Sequence, residues 1–211
     1  GEYFFLLLSS LFGLLLIGSS ADFLTLFLGI ETLSLALFIL CGYMKAWKMS
    51  SEASLKYFFM SVLATAFLIY GIALIYGAVG STRFDALLPA YQALAGAGTS
   101  GKALFLGGIA MLTLGLAFKA AVVPFHVWAP DVYDGAPSPV TAFMAVGTKV
   151  GAFAAFIRVF MEALPHFDSV WNQGIAFLAF PTLIYANIVA LRQTQLRRFF
   201  AYSGISHAGF L

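Results

Sequence analysis

Apolar residues in this chain neither alternate nor recur at a helical spacing; they run on for about twenty residues at a time. A helix of that length crosses the roughly 30 Å of hydrocarbon in a bilayer. Residues 3–18 form the first such run, 23–41 the second and 55–76 the third. The fourth occupies 103–123 and resumes beyond Pro124, so it predicts one span over 103–133 broken at Pro124. Residues 140–161 and 170–191 are the fifth and sixth, and 199–211 open a seventh. Transmembrane strands would alternate apolar and polar positions, so these continuous runs argue against a β-barrel. The pattern predicts an all-α, polytopic transmembrane helix bundle, a single domain over 1–211. Polar residues collect in the linkers, at 19–22, 45–52 and 81–102, and 84–88 in the last predicts a short helix lying at the interface.

Composition strengthens this reading. Only 9% of residues are charged and 62% are apolar, against roughly 25% charged in ordinary soluble domains. A net charge of +2 and the lack of a basic run longer than Arg197-Arg198 exclude a nucleic-acid partner. The single cysteine, Cys41, excludes an internal disulfide framework and a cysteine-rich metal site. Lys45, Lys48, Arg192, Arg197 and Arg198 fall in loops on one side of the predicted bundle, while the other side has only Arg83 and Lys102 among Asp22, Asp85, Glu162 and Asp168. The excess of basic loop residues marks the cytoplasmic side. The chain starts at Gly1-Glu2 and stops inside an apolar run, as an internal piece of a longer protein would.

Three charges break the pattern from within. Glu31 is the ninth residue of a nineteen-residue run, and Lys149 the tenth of twenty-two. A charge at that depth costs about 3 kcal/mol on insertion scales, met by pairing, by facing the bundle interior or by lining a wet cavity. Lys149 lies between Gly147 and Gly151, whose small size lets neighbours approach. Lys119 precedes Pro124 by just over a turn, and a proline removes one helix donor and clashes with the carbonyl four residues back, that of Ala120. Irregular backbone at membrane depth is tolerated only where it is buried or lines a cavity, and broken helices there accompany ion-coupled transport. A lone intramembrane lysine is often a packing ion pair; three buried charges beside a broken helix are harder to explain as scaffolding. Lys56, one residue into its span, can snorkel to the interface, and Arg158 reads as an interfacial anchor. His126 and His207 read as hydrogen-bonding groups rather than haem ligands, and Pro139 as the start of a helix.

The stretch FKAAVVPFHVWAPDVYDGAPSPV at 118–140 closely resembles a signature of the antiporter-like proton-pumping subunits of respiratory complex I and its relatives. LGIETLS at 28–34, Lys149, and RRFFAYSGISH at 197–207 are similar to the fifth-helix glutamate, eighth-helix lysine and tenth-helix start of that family. KYFF at 56–59 with LIYGIALIYG at 68–77 looks most like one particular chain of the bacterial enzyme. The resemblance covers nearly the whole chain. It implies an incomplete antiporter-like inverted-repeat fold running from about the fourth helix into the tenth, in a bacterial inner membrane.

It further implies a proton relay in which Glu31 pairs with Lys119, Lys56 is a second partner, and the proton moves on toward Lys149. Pro124, His126, Pro139 and His207 would shape the broken helix and support it. NADH, FMN, iron–sulfur clusters and quinone would sit in partner subunits, with no cofactor or metal in this chain and quinone engaged only indirectly. The expected partners are other membrane subunits, the lipid bilayer and protons. A multisubunit sodium/proton antiporter, a hydrogenase-linked ion pump or a photosynthetic relative of complex I shares these features. A non-transporting membrane scaffold is the reading from another class.

Overall fold

A computed structural model describes residues 1–94 and 99–210. Helix α1 covers Glu2–Ser19, α2 Phe23–Cys41, α3 Lys48–Val79, α4 Phe84–Ala93 and α5 Thr99–Ala120. Helix α6 covers Trp128–Gly135, α7 Ser138–Phe156, α8 Asp168–Ala190 and α9 Leu196–Phe210. A π-helical turn at Ile157–Ala163 continues α7. Six of the helices in the described residues are long and apolar enough to cross a membrane, so the all-α polytopic expectation holds. Large apolar side chains such as Phe5, Leu15, Phe59, Phe177 and Phe180 lie exposed on their outer faces, as lipid-facing residues do.

Helix ends follow local chemistry. Asp22 caps α2: its Oδ1 accepts the backbone N–H groups of Leu24 and Thr25, each at 2.9 Å, and its Oδ2 accepts the Thr25 hydroxyl at 2.6 Å. The same residue forms a short antiparallel bridge with Arg83. The Phe23 N–H donates to the Thr82 carbonyl and the Phe84 N–H to that of Ala21. These bonds fix the α1–α2 and α3–α4 connections on one side of the bundle. Gly80, at φ 73°, ends α3 in the left-handed conformation that glycine adopts without penalty. At 32 residues, α3 is about 48 Å long, so the predicted span 55–76 lies inside a helix that overshoots the hydrocarbon.

Close backbone approach makes the bundle tight. A Cβ on Gly71 of α3 would sit 2.8 Å from the Leu112 nitrogen and 2.9 Å from the Gly108 carbonyl oxygen of α5. Small residues in facing pairs are how helices pack where lipid offers no hydrophobic drive between them. This contact places the lower turns of α3 beside the end of α5. Opposite them, Arg158 on the π-helical turn donates through Nε to the Gly18 carbonyl at 2.7 Å, satisfying a free carbonyl at the end of α1.

The Asp22 carboxyl is pushed up by partial burial, but its bonds to Thr25 and Leu24 and the nearby Arg83 charge outweigh this and hold it below the ordinary 3.8. A carboxyl with a lowered folded value stabilises fully above its unfolded pKa and loses that contribution as pH falls through the folded one. Asp22→Ala is therefore expected to cost about 1 kcal/mol at neutral pH. The gap between parent and variant unfolding midpoints should close as the pH drops below about 4. A gap that stays constant down to that pH would show that the carboxylate charge plays no part.

Candidate functional site

Helix α5 does not run into Pro124; it ends four residues earlier. The Val122 N–H donates to the Ala117 carbonyl at 3.1 Å and the Ala121 N–H to that of Phe118 at 2.9 Å, with Ala121 at φ 58°. This is a Schellman closure with alanine where glycine is usual. A left-handed alanine costs roughly 1 kcal/mol, so the surrounding packing holds this end in place. Residues 121–127 then pass without α-helix to α6.

Three polar groups freed by the break find partners from elsewhere in the bundle. The Phe118 carbonyl also accepts from the Trp128 indole at 3.3 Å. The Val123 N–H donates at 2.9 Å to the Thr182 hydroxyl of α8, and that hydroxyl donates to the Leu178 carbonyl at 2.6 Å. The Ala120 carbonyl, deprived of a donor by Pro124, accepts from the Lys149 Nζ of α7 at 2.5 Å. Lys149 thus reaches the break from a separate helix, with Gly204 of α9 packed against its Cε.

One residue earlier, Lys119 points the other way. Its Nζ donates to the hydroxyls of Ser34 at 2.9 Å and Ser61 at 2.8 Å, and it lies 3.4 Å from the Glu31 Oε1. The three acceptors match the three donors of an ammonium group. Ser34 commits its own proton to the Ile30 carbonyl, so its oxygen is free to accept. Glu31 also accepts the Thr65 hydroxyl at 2.8 Å. The lysine side chain is only 9% exposed and the glutamate 18%. Hydrogen bonds to the serines are of ordinary length, while 3.4 Å is long for N–H···O. The serines hold the ammonium, and Glu31 acts on it chiefly through charge.

Between Lys119 and α7 lies a cavity of about 20 Å³ lined by Ser34, Tyr57, Lys119, Thr148 and the apolar Leu33 and Ala152. That is room for one water molecule with several polar neighbours.

Lys56 does not join Glu31. Its Nζ pairs with Glu52 and with Asp131 of α6, each at 2.8 Å. Arg198 of α9 meets the same Asp131 at 2.7 Å and Asp134 at 3.2 Å. Arg197 donates to the Asp134 carbonyl at 2.9 Å and to the Ser138 hydroxyl at 2.8 Å. Together these tie α3 and α9 to the middle and C-terminal end of α6. His126 is buried in the unwound segment against Tyr185, and its Nδ1 has no hydrogen-bond partner among the described residues. Pro139 is the second residue of α7, where a missing N–H is harmless. His207 is exposed on the last turn of α9, beside Asn187 and Ser206.

Sequence reasoning missed Ser34, Ser61, Thr65 and Thr182. A signal existed in α3: Ser50, Ser54, Tyr57, Ser61 and Thr65 recur every three or four residues, a polar stripe on one helix face. Ser50 and Ser54 use it to bond the Cys41 and Phe38 carbonyls of α2. Thr182 had no such companions.

Comparison with known proteins places this geometry. The family described as NADH:quinone oxidoreductase/Mrp antiporter, TM, matches residues 20–211. The chain belongs to this family. Within it, NADH-quinone oxidoreductase subunit N of Protochlamydia amoebophila is 68% identical over the whole chain, which covers 44% of that relative. The chain thus spans less than half the length of the curated relatives it matches, in keeping with the expected fragment. Among solved structures, respiratory complex I from Thermus thermophilus with bound aureothin contains a chain 38% identical to this one. Their TM-score is 0.81, and the match covers 99% of this chain and 44% of that one. A chain of the Mrp complex from Dietzia sp. is 25% identical with a TM-score of 0.78, covering 95% of this chain and 21% of its own length. The antiporter-like resemblance and the likeness to one chain of the bacterial enzyme are both borne out.

Thr182 supplies a test of the break itself. Thr182→Val keeps the volume but leaves the Val123 N–H without an acceptor, at an expected cost of about 1–3 kcal/mol. Thr182→Ser should restore the parent's thermal unfolding midpoint. Equal midpoints for all three proteins would mean that this bond does not support the unwound segment.

Proposed function

We propose that this chain forms part of the proton-translocating membrane subunit of a complex I type NADH:quinone oxidoreductase, and that Glu31, Lys119 and Lys149 relay the proton. The observation that carries the reading is the placement of two half-buried lysines at membrane depth on opposite sides of one helix break, with Lys119 beside Glu31 and Lys149 on the adjoining Ala120 carbonyl.

The geometry suits a switch. At 3.4 Å and an effective dielectric near 20, the attraction of a Glu31 carboxylate for a Lys119 ammonium is about 5 kcal/mol, and doubling the distance halves it. A swing of the Glu31 side chain away from Lys119 would therefore release the hold on the Lys119 proton while the contacts to Ser34 and Ser61 stay in place. The ammonium then gives its proton to a water in the adjoining cavity, leaving a neutral amine, and the proton passes to the neutral amine of Lys149. The Ala120 carbonyl accepts from Lys149 in either state, so that side chain is kept in place as it charges. Lys56 and Arg198, meeting on Asp131, keep α6 fixed while this occurs.

Electron transfer belongs to partner subunits in this reading. They hold NADH, FMN, the iron–sulfur clusters and quinone, and drive this subunit through neighbouring membrane subunits of the bacterial inner membrane. The 68% identity to a relative named as subunit N favours it over a sodium/proton antiporter, since the Mrp chain is more distant at 25%.

Proton pumping by the assembled, full-length complex in proteoliposomes tests the relay. Glu31→Ala and Lys119→Ala are each expected to reduce pumping at least tenfold while the complex still assembles. Near-normal pumping by either variant would remove that residue from the relay. Pumping intact after all three charges are neutralised, with assembly impaired, would favour the scaffold reading. Transport that needs sodium and no NADH would favour the antiporter.

A further inference from the structure

At the basic side of the bundle, outside the relay, a groove of about 570 Å³ runs along the outer face of α3. Lys45 and Lys48 stand at its mouth, and Leu55, Phe59 and Met60 line it further down, with Lys56 between. The charges are unevenly engaged. Glu52 pairs with Lys56, which also pairs with Asp131, whereas Lys45 and Lys48 form no ion pair among the described residues and are exposed. The groove therefore offers two free ammonium groups and no free carboxylate.

Its depth can be read from its neighbours. Tyr43 and Trp47, both exposed, flank Lys45, and aromatic residues of this kind settle at the headgroup level of a bilayer. The apolar run of α3 begins at Leu55, so Lys48 stands about 10 Å outside it along the helix and Met60 about 8 Å within it. Cationic groups thus sit at the level of lipid phosphates, with a short apolar trough beneath them reaching into the upper hydrocarbon.

We infer that this groove is a binding site for an anionic phospholipid, its phosphate held by Lys45 and Lys48 and one acyl chain laid along Leu55, Phe59 and Met60. The charge complementarity and the apolar trough beneath it specify a lipid rather than a free anion, which would gain nothing from the apolar part. The proposal is independent of the proton relay, and neither Lys45 nor Lys48 belongs to it.

The test uses the full-length protein in its assembled complex, in nanodiscs of phosphatidylcholine containing a minor fraction of phosphatidylglycerol. Native mass spectrometry reports which lipids stay bound. A Lys45→Gln, Lys48→Gln double variant changes only exposed side chains. It is expected to bind phosphatidylglycerol at this site about thirtyfold more weakly, since each lysine near an anionic lipid contributes on the order of a fivefold gain. Retained phosphatidylcholine should not change, and excess inorganic phosphate should not displace the anionic lipid from the parent. Equal phosphatidylglycerol retention by parent and variant would overturn the proposal. So would displacement by inorganic phosphate, or loss of a neighbouring protein subunit from the variant in place of a lipid.

Discussion

A backbone that leaves its helix inside a membrane must find partners for every group it frees, because the hydrocarbon supplies none. The interrupted helix α5–α6 meets this constraint by borrowing from the rest of the molecule. Pro124 cannot donate to Ala120, so Lys149 does, at 2.5 Å. Val123 turns its N–H to Thr182, and Trp128 reaches back to Phe118. The break is thereby welded to α7 and α8, and a buried lysine is held by a backbone group that exists as an acceptor only because the helix is broken. The costly charge and the costly break satisfy one another.

The second lysine is housed by a different device. An ammonium with only a carboxylate for company leaves donors unmet, and desolvating both charges costs several kcal/mol per ion. Ser34 and Ser61 complete the shell around Lys119, and Thr65 steadies Glu31. The hydroxyls of Ser61 and Thr65 reach the site because α3 lies hard against α5 at Gly71 and Gly108. Helix packing without side chains at one level sets hydrogen-bond geometry about three turns away. The result is a pair whose charges attract across a gap slightly too long for a firm hydrogen bond, suited to modulation rather than to locking.

At the basic end, Lys56, Asp131, Arg198 and Asp134 form a partly exposed ionic chain. Exposed pairs of this kind contribute little singly, with a median of about 0–1 kcal/mol each. Their value here is positional. Helix α6 has only eight residues, too few to be stable alone, and these contacts to α3 and α9 give it a defined place below the unwound segment.

Much of this molecule is legible in the order of its residues. Uninterrupted apolar runs dictate spanning helices because backbone polarity must be satisfied within each one. Glu31 and Lys149 declare themselves by depth alone, since a charge at the middle of such a run carries a cost that some partner must meet. The polar stripe from Ser50 to Thr65 on α3 was equally visible, though its spacing says only that the residues share a face. Which hydroxyl meets which charge depended on how far α3 is turned and how closely it packs, both set by contacts many residues apart. Lys56 shows the limit: the family resemblance made it a second partner of Glu31, but the rotation of α3 turns it out to Asp131. Likewise Pro124 announces a break without revealing that the helix closes at Ala120, because that end is fixed by Thr182 and Lys149 from other helices. Sequence set which groups carried an unmet electrostatic cost; only the tertiary arrangement could assign the partners that meet it, since hydrogen bonds are decided over a few tenths of an ångström.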